Sequence, residues 1–344
     1  MKHTIEKWAT FFLISASVFV SALLTEAAIL TFTGQFKLPY IYFSLIPAFI
    51  VVILFSIRLK RDINLLPTVT ISSILIFFLI SLILIFFPHD TFGGADQAIY
   101  SNLASHLANS ASFKIASYLN NLPGNYAEDI RTWYQGYPIW LGIQVAFFGF
   151  QWMLRSSVVI IILGLSSFFL VSSHLGGNRA GTIASILLSS SMPFLWFSKE
   201  TMSENLSFFL LWSLILFLLI FLKTKKYIYL AVVFICSWLF GLTRFEGFLL
   251  QFVLLCILPA LLFIRKIKLG KICLIITIST FLLISNIYIT KDIFLPIFFT
   301  KFVPGIILSI KRDAASLIPN YLMNAIPNNP IPNAKSFQCP NGIL

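Results

Sequence analysis

Polar residues in this chain are confined to short groups that punctuate long apolar runs, rather than interleaved at a helical or strand period. The runs cover about residues 11–30, 40–57, 68–87, 156–173, 180–197, 205–222, 227–242, 247–264 and 272–290. A helix needs ~20 apolar residues to cross a bilayer, and it is the only open-ended structure that satisfies its own backbone there. The pattern predicts an all-α polytopic membrane protein, a bundle of about nine transmembrane helices. The first run follows Lys2 and Lys7 but exceeds the ~7–15-residue core of a secretory signal, so it reads as a retained anchor.

Two further segments do not fit that mould. Residues 138–151 (PIWLGIQVAFFGFQ) are apolar but short, with Gln144 and Gln151 expected on one helical face. Residues 293–310 are long enough to span but contain Pro296, Lys301 and Pro304, and the sequence leaves their placement open.

Composition agrees with the runs. Hydrophobic residues make up 58% of the 344 and charged residues 10%, with 37 phenylalanines and a mean hydropathy of +0.93. Soluble domains carry ~25% charged residues, and a disordered chain lacks such apolar content. The net charge of +12 would suit nucleic acid in a soluble protein. In a membrane protein it first reports orientation, so no nucleic-acid partner is implied. Cys236, Cys256 and Cys273 lie within apolar runs and Cys339 stands alone, which gives no disulfide framework and no zinc-type spacing.

Charge also orients the chain. With a cytoplasmic N-terminus and 138–151 at the membrane surface, the cytoplasmic segments up to residue 290 hold 13 Lys and Arg against 6 outside. If 138–151 crosses, the count becomes 8 against 11. The positive-inside rule selects the first arrangement. It puts Glu6 and Asp62 in the cytoplasm and Glu26 near the outer end of the first span. Asp90, Asp96, Glu128, Asp129, Glu200, Glu204 and Glu246 then share the outer face, from the segments 88–137, 198–204 and 243–246. Acids have little influence on topology, so this gathering is a separate observation that marks a candidate site. Solubilisation of the outer surface is the plainer reading of any single acid.

The segment 88–137 is the one long hydrophilic stretch between the spans, and loops of that size are often functional. After Gly93 and Gly94 a helix is expected from about Asp96, with Asp96, Tyr100, Leu103 and Leu107 on one face. The plainer reading of Asp96 in a first turn is a helix cap.

Four pieces of sequence resemble the GT-C superfamily, the membrane glycosyltransferases that use polyprenyl-phosphate sugars, such as protein O-mannosyltransferases and the aminoarabinose transferases of lipid A. GGADQAIY, with Asp96 and Tyr100, is similar to the family's first-loop Asp-x-x-x-Tyr motif. GYPIWLGIQVAFFG looks like its Tyr-Pro stretch and juxtamembrane helix, and the run from Arg155 through GGNRAGTIASILLSSSMPFLWFSKETMSENLSFFLL resembles its span, Gly-Arg turn, span and acidic outer turn. GLTRFEGFLL is close to its Leu-Thr-Arg-x-Glu-Gly segment. These pieces keep the family's order over residues 68–264. Two extra spans precede them, and the C-terminal part is short for that family.

The resemblance implies residues 1–67 as two N-terminal helices, 68–290 as a GT-C-like core and 291–344 as a juxtamembrane segment with a Pro/Asn-rich tail. Within the core, 88–155 is a long first extracytoplasmic loop carrying juxtamembrane helices. It also implies transfer of a sugar from a polyprenyl-phosphate donor to a glycan, lipid or protein acceptor outside the plasma membrane. Asp96 is then the catalytic carboxylate, and Tyr100, Glu204, Arg244 and Glu246 are substrate-binding residues. Arg244 suits the lipid phosphate, with Lys199 and Arg155 as weaker candidates of the same kind. Each has a plainer reading: Tyr100 as an interfacial anchor, Glu204 as a first-turn acid, Arg244 as a snorkelling side chain.

No organic cofactor is implied. A divalent metal is compatible with His89, Asp90, Asp96 and His106, but their spacing matches no ligand pattern, and His106 lies roughly 80° from Asp96 on an ideal helix. A secondary transporter or lipid flippase is the competing expectation. Such proteins place ionisable groups near the midplane beside broken helices, whereas these spans are almost free of central charge.

Overall fold

A computed structural model describes residues 2–62, 95–110, 114–116, 127–129, 134–264 and 269–290. Some side chains within these helices, among them Asp96, Arg155 and Lys199, lie outside the description. So do the expected span 68–87, with His89 and Asp90 after it, and residues 291–344. The described residues belong to one compact unit, Met1–Ile293.

The elements are α1 (Lys2–Phe32), α2 (Leu38–Asp62), α3 (Ala95–Ser110), β1 (Lys114–Ala116), β2 (Ala127–Asp129), α4 (Gly136–Phe148), α5 (Phe150–Ser190), α6 (Met192–Lys199), α7 (Ser203–Thr224), α8 (Tyr227–Thr243), α9 (Phe245–Ile264) and α10 (Leu269–Ile289). Six of the helical segments are long and apolar enough to cross a membrane: Thr10–Phe32, Leu38–Leu59, Phe150–Ser190, Ser203–Thr224, Phe245–Ile264 and Gly270–Ile289. Large apolar side chains such as Phe12, Phe43, Leu54, Phe252 and Phe281 point outward from them. An apolar surface on this scale needs lipid against it, and the protein is an integral membrane protein.

The 41-residue segment α5 is not one rod. Gly177 breaks it with φ 83° and ψ 164°, a conformation open essentially to glycine alone. The arms fold back on each other. A Cβ at Gly181 would fall 3.0 Å from Ser173 Cα, and Phe194 beyond the second arm packs against Val158 and Ile161 of the first. A Gly177→Ala change is expected to destabilise the fold by about 1–3 kcal/mol. Its control is Gly270→Ala, where a Cβ meets nothing within 4 Å. Thermal melts in detergent should fall for the first and hold or rise for the second.

Two points depart from expectation. A short antiparallel ladder pairs Lys114 with Asp129 and Ile115 with Glu128 inside the segment expected to hold only helices and loops. The residues between carry Pro123, Gly124 and Asn125, a turn signal that helical periodicity does not register. The second is α4. Gly149, at φ 83°, separates it from α5, so Gln144 and Gln151 stand on different helices rather than on one face. Its 13 residues reach about 20 Å, short of a bilayer's hydrocarbon, yet Gly136 through Ile143 are buried by protein.

Besides the small cluster of Val158 and Ile161, packing forms two large apolar clusters along the helices. One gathers Ile14, Phe55, Phe169, Phe217, Phe221 and Tyr229, the other Leu24, Phe36, Tyr137, Trp140, Leu206 and Leu242. α7 and α8 run through both. Within the apolar part of the bundle, small neutral contacts join helices: Ser15 with Ser56 at 2.9 Å, Ser167 with Ser213 at 3.3 Å, and Asn286 donating to the Trp238 carbonyl and to Gln251 Oε1, each at 3.0 Å. Such bonds contribute on the order of 0.6 kcal/mol each in a membrane, so shape complementarity supplies most of the cohesion.

Beyond the apolar part of α2 lies Asp62, only 4% exposed. Lys226 pairs with its Oδ1, and the Tyr229 hydroxyl donates to Oδ2 at 2.7 Å. Burial alone would raise this carboxyl, but the bonds from Lys226 and Tyr229 and the charges of Lys226 and Arg58 hold it below the usual range. The contact joins the end of α2 to the α7–α8 turn.

Candidate functional site

The other end of the α7–α8 pair is carboxylate-rich. α7 opens at Ser203 after a short turn, which puts Glu204 in its first turn, where the helix dipole favours an acid. α8 closes at Thr243, and α9 begins at Phe245 with only Arg244 between them. The chain turns this sharply because of Gly247, where a Cβ would overlap the Phe240 peptide.

Arg244 is the hub. Its Nε and a terminal nitrogen donate to the two oxygens of Glu246 at 3.0 and 3.1 Å, a bidentate pair, and its other terminal nitrogen pairs with Glu204. Burial alone would lower the guanidinium, but the bonds and charges of Glu246 and Glu204 outweigh it and raise it further. The trio is net negative. Arg244 is 30% and Glu204 35% exposed, so the cluster is neither sealed nor free.

Tyrosines and amides build the wall beside it. α4 begins against the end of α8, where a Cβ at Gly136 would fall 2.6 Å from Thr243 Oγ1. That brings Tyr134, Gln135 and Tyr137 to the cluster. Burial, and then the charge of Glu246, push the Tyr134 hydroxyl up from its ordinary range. Tyr137, fully buried, stacks edge-on with Tyr100 of α3 at 5.1 Å, and its hydroxyl lies 3.5 Å from Ser157 Oγ. Ser157 in turn donates to the Glu200 carbonyl at 3.4 Å, and Asn205 donates to the same carbonyl at 2.9 Å. The acidic turn is thereby tied to the tyrosine wall.

α3 lies along α4 in the same sense, with Tyr100 against Tyr137 and Leu107 against Gly142. Tyr100, Leu103 and Leu107 are buried as their spacing predicts. Asp96 occupies the first turn of α3, one turn before Tyr100, with its side chain outside the described residues. Several polar atoms on these elements are buried without a hydrogen-bond partner among the described residues: Gln97 Oε1, Ser101 Oγ, Tyr134 OH, Gln135 Oε1, Trp140 Nε1 and Thr201 Oγ1. Each costs about 1–3 kcal/mol unless solvent or a ligand meets it.

Glu204, Arg244 and Glu246, expected separately, are thus one cluster, and Tyr100 joins it through Tyr137. Arg244 was expected on a lipid phosphate, and here two carboxylates occupy its fork. Tyr134, Gln135, Tyr137 and Ser157 were not anticipated; only the position of Tyr137 within GYPIW singled any of them out. For a metal, no group of three or more His, Cys, Asp and Glu side chains converges among the described residues. His89, Asp90 and the Asp96 side chain lie outside them, so the expected loop ligands are not described together. No protein-family model matches this chain, and neither a curated protein nor a solved structure matches it.

Proposed function

We propose that this protein is a membrane glycosyltransferase of the GT-C type, moving a sugar from a polyprenyl-phosphate donor to a glycan, lipid or protein acceptor on the extracytoplasmic face of the plasma membrane. The supporting observation is the joined cluster of Glu204, Arg244 and Glu246 beside the Tyr100–Tyr137 wall, where several buried polar atoms lack partners among the described residues. A sugar offers many hydroxyls, which are the donors and acceptors such a wall requires.

In this reading the chain crosses the membrane about nine times, counting the two arms around Gly177 and the apolar segment 68–87, with its N-terminus in the cytoplasm. The acceptor oxygen attacks the anomeric carbon and a new C–O bond forms. The bond from that carbon to the phosphate oxygen breaks, and polyprenyl phosphate departs with the electron pair. Asp96 takes the acceptor proton as general base. The leaving phosphate needs no proton, so a second carboxylate need not act as acid. Glu204 and Glu246 accept hydrogen bonds from sugar hydroxyls, and Arg244 is a positioning residue that holds both in place. Lys199 and Arg155 are then the better candidates to meet the phosphate charge.

Deletion of the gene tests the reading. The expected result is an envelope glycan, lipid or protein lacking one sugar, together with accumulation of the corresponding polyprenyl-phosphate sugar, both reversed by complementation. An unchanged set of envelope sugars, measured by mass spectrometry, would reject transfer and favour the transporter reading.

A further inference from the structure

The basic end of the α7–α8 pair carries a cavity of about 710 Å³, enclosed by α2 and the start of α8. Arg58, Lys225 and Lys226 supply its polar lining, and the rest is aliphatic or aromatic, with Leu54, Phe55, Tyr227 and Ile228 as the main walls. Leu54 and Ile228 are 64% and 44% exposed, so the apolar side opens outward along helices that read as membrane-facing. Lys271 adds a further cation at the rim, its ammonium 4.8 Å from the Tyr227 ring centroid.

The charges are unequally engaged. Lys226 is committed to Asp62. Arg58 lends its charge to Asp62 without forming a salt bridge to it, and Lys225 is in no salt bridge among the described residues. Lys225 is also the one non-glycine residue with positive φ among the described residues, at 57°, closing α7 where glycine is the usual choice.

We propose that this cavity binds an anionic phospholipid of the adjoining leaflet, its phosphate between Arg58 and Lys225 and an acyl chain along Leu54 and Ile228. A soluble anion would gain nothing from the apolar walls, and a zwitterionic lipid brings a cation toward a basic rim. The volume suits a headgroup with its glycerol. The site is independent of the sugar-transfer reading, because α7 alone separates the two ends by about 33 Å.

The test uses the full chain in phosphatidylcholine nanodiscs doped with phosphatidylglycerol, with retained lipid read by native mass spectrometry. Wild type should retain phosphatidylglycerol well above its share of the disc. Each charge removed should lower that enrichment about fivefold, so Arg58→Gln with Lys225→Gln should lower it about 25-fold. Lys225→Gly separates binding from folding: it removes the ammonium and relieves the backbone, so it should melt no lower than wild type and still lose about fivefold. Enrichment that survives both sets of variants overturns the proposal. So does displacement of the lipid by excess inorganic phosphate, which would mark a site for a free anion.

Discussion

Replacement of Asp96 by Asn is expected to lower the transferred product ~10²–10⁴-fold while leaving the amount of protein in the membrane unchanged. The amide keeps the volume, so the helix and the Tyr100–Tyr137 contact should persist. On the proposed reading it loses the base for the acceptor proton. General base catalysis contributes typically ~10²–10⁴-fold, so residual transfer should fall in that range. An Asp96→Glu variant sharpens the result, because it restores a carboxylate at the wrong reach and should recover only part of the loss. Normal product from Asp96→Asn would remove this residue from the chemistry, whatever the fate of the wider proposal.

The second large effect is expected at Arg244. Truncation to Ala releases a bidentate partner of Glu246 and a partner of Glu204, leaving two carboxylates with no cation between them. Partial exposure softens the penalty, since water reaches both acids; a stability loss of about 1–3 kcal/mol is expected from the broken charged hydrogen bonds. Activity should fall further than stability accounts for, seen as a lower kcat at a detergent melting temperature still well above the assay. Arg244→Lys should keep most of the stability and little of the activity, because an ammonium cannot hold two carboxylates in fixed planes. A double-mutant cycle with Glu204→Gln checks the geometry directly. Coupling of about 0.5–3 kcal/mol is expected, and strict additivity would mean the two residues do not act together.

Much of the helix layout was legible beforehand. The apolar runs at 205–222, 227–242, 247–264 and 272–290 correspond to α7, α8, α9 and α10 within about three residues, because charged groups or tight turns bound each run. The run before GGNR corresponds to the first arm of α5, whereas the run 180–197 is split at Ser191 between the second arm and α6. α4 was harder: a short apolar helix at the surface and one buried by its neighbours have the same composition. The partners of α4 decide, and they come from α1, α3 and α8. The site shows the same division. Glu204, Arg244 and Glu246 stand out as charges at the ends of apolar runs, but their convergence depends on how α7 meets the α8–α9 turn. Tyr134, Gln135, Tyr137 and Ser157 are ordinary residue types in an apolar background, and only three-dimensional contact brings them together.

The α7–α8 pair is pinned at both extremities, by Asp62 to Lys226 and Tyr229 and by Arg244 to Glu204. The first contact holds the start of α8 to α2, and the second ties the end of α8 to the start of α7, so sliding of α7 past α8 would have to break the Arg244–Glu204 pair. Freedom is left to sideways tilting of neighbours that are not clamped at two points. α9 is the evident lever, since it carries Pro259 within its length and Glu246 at its tip.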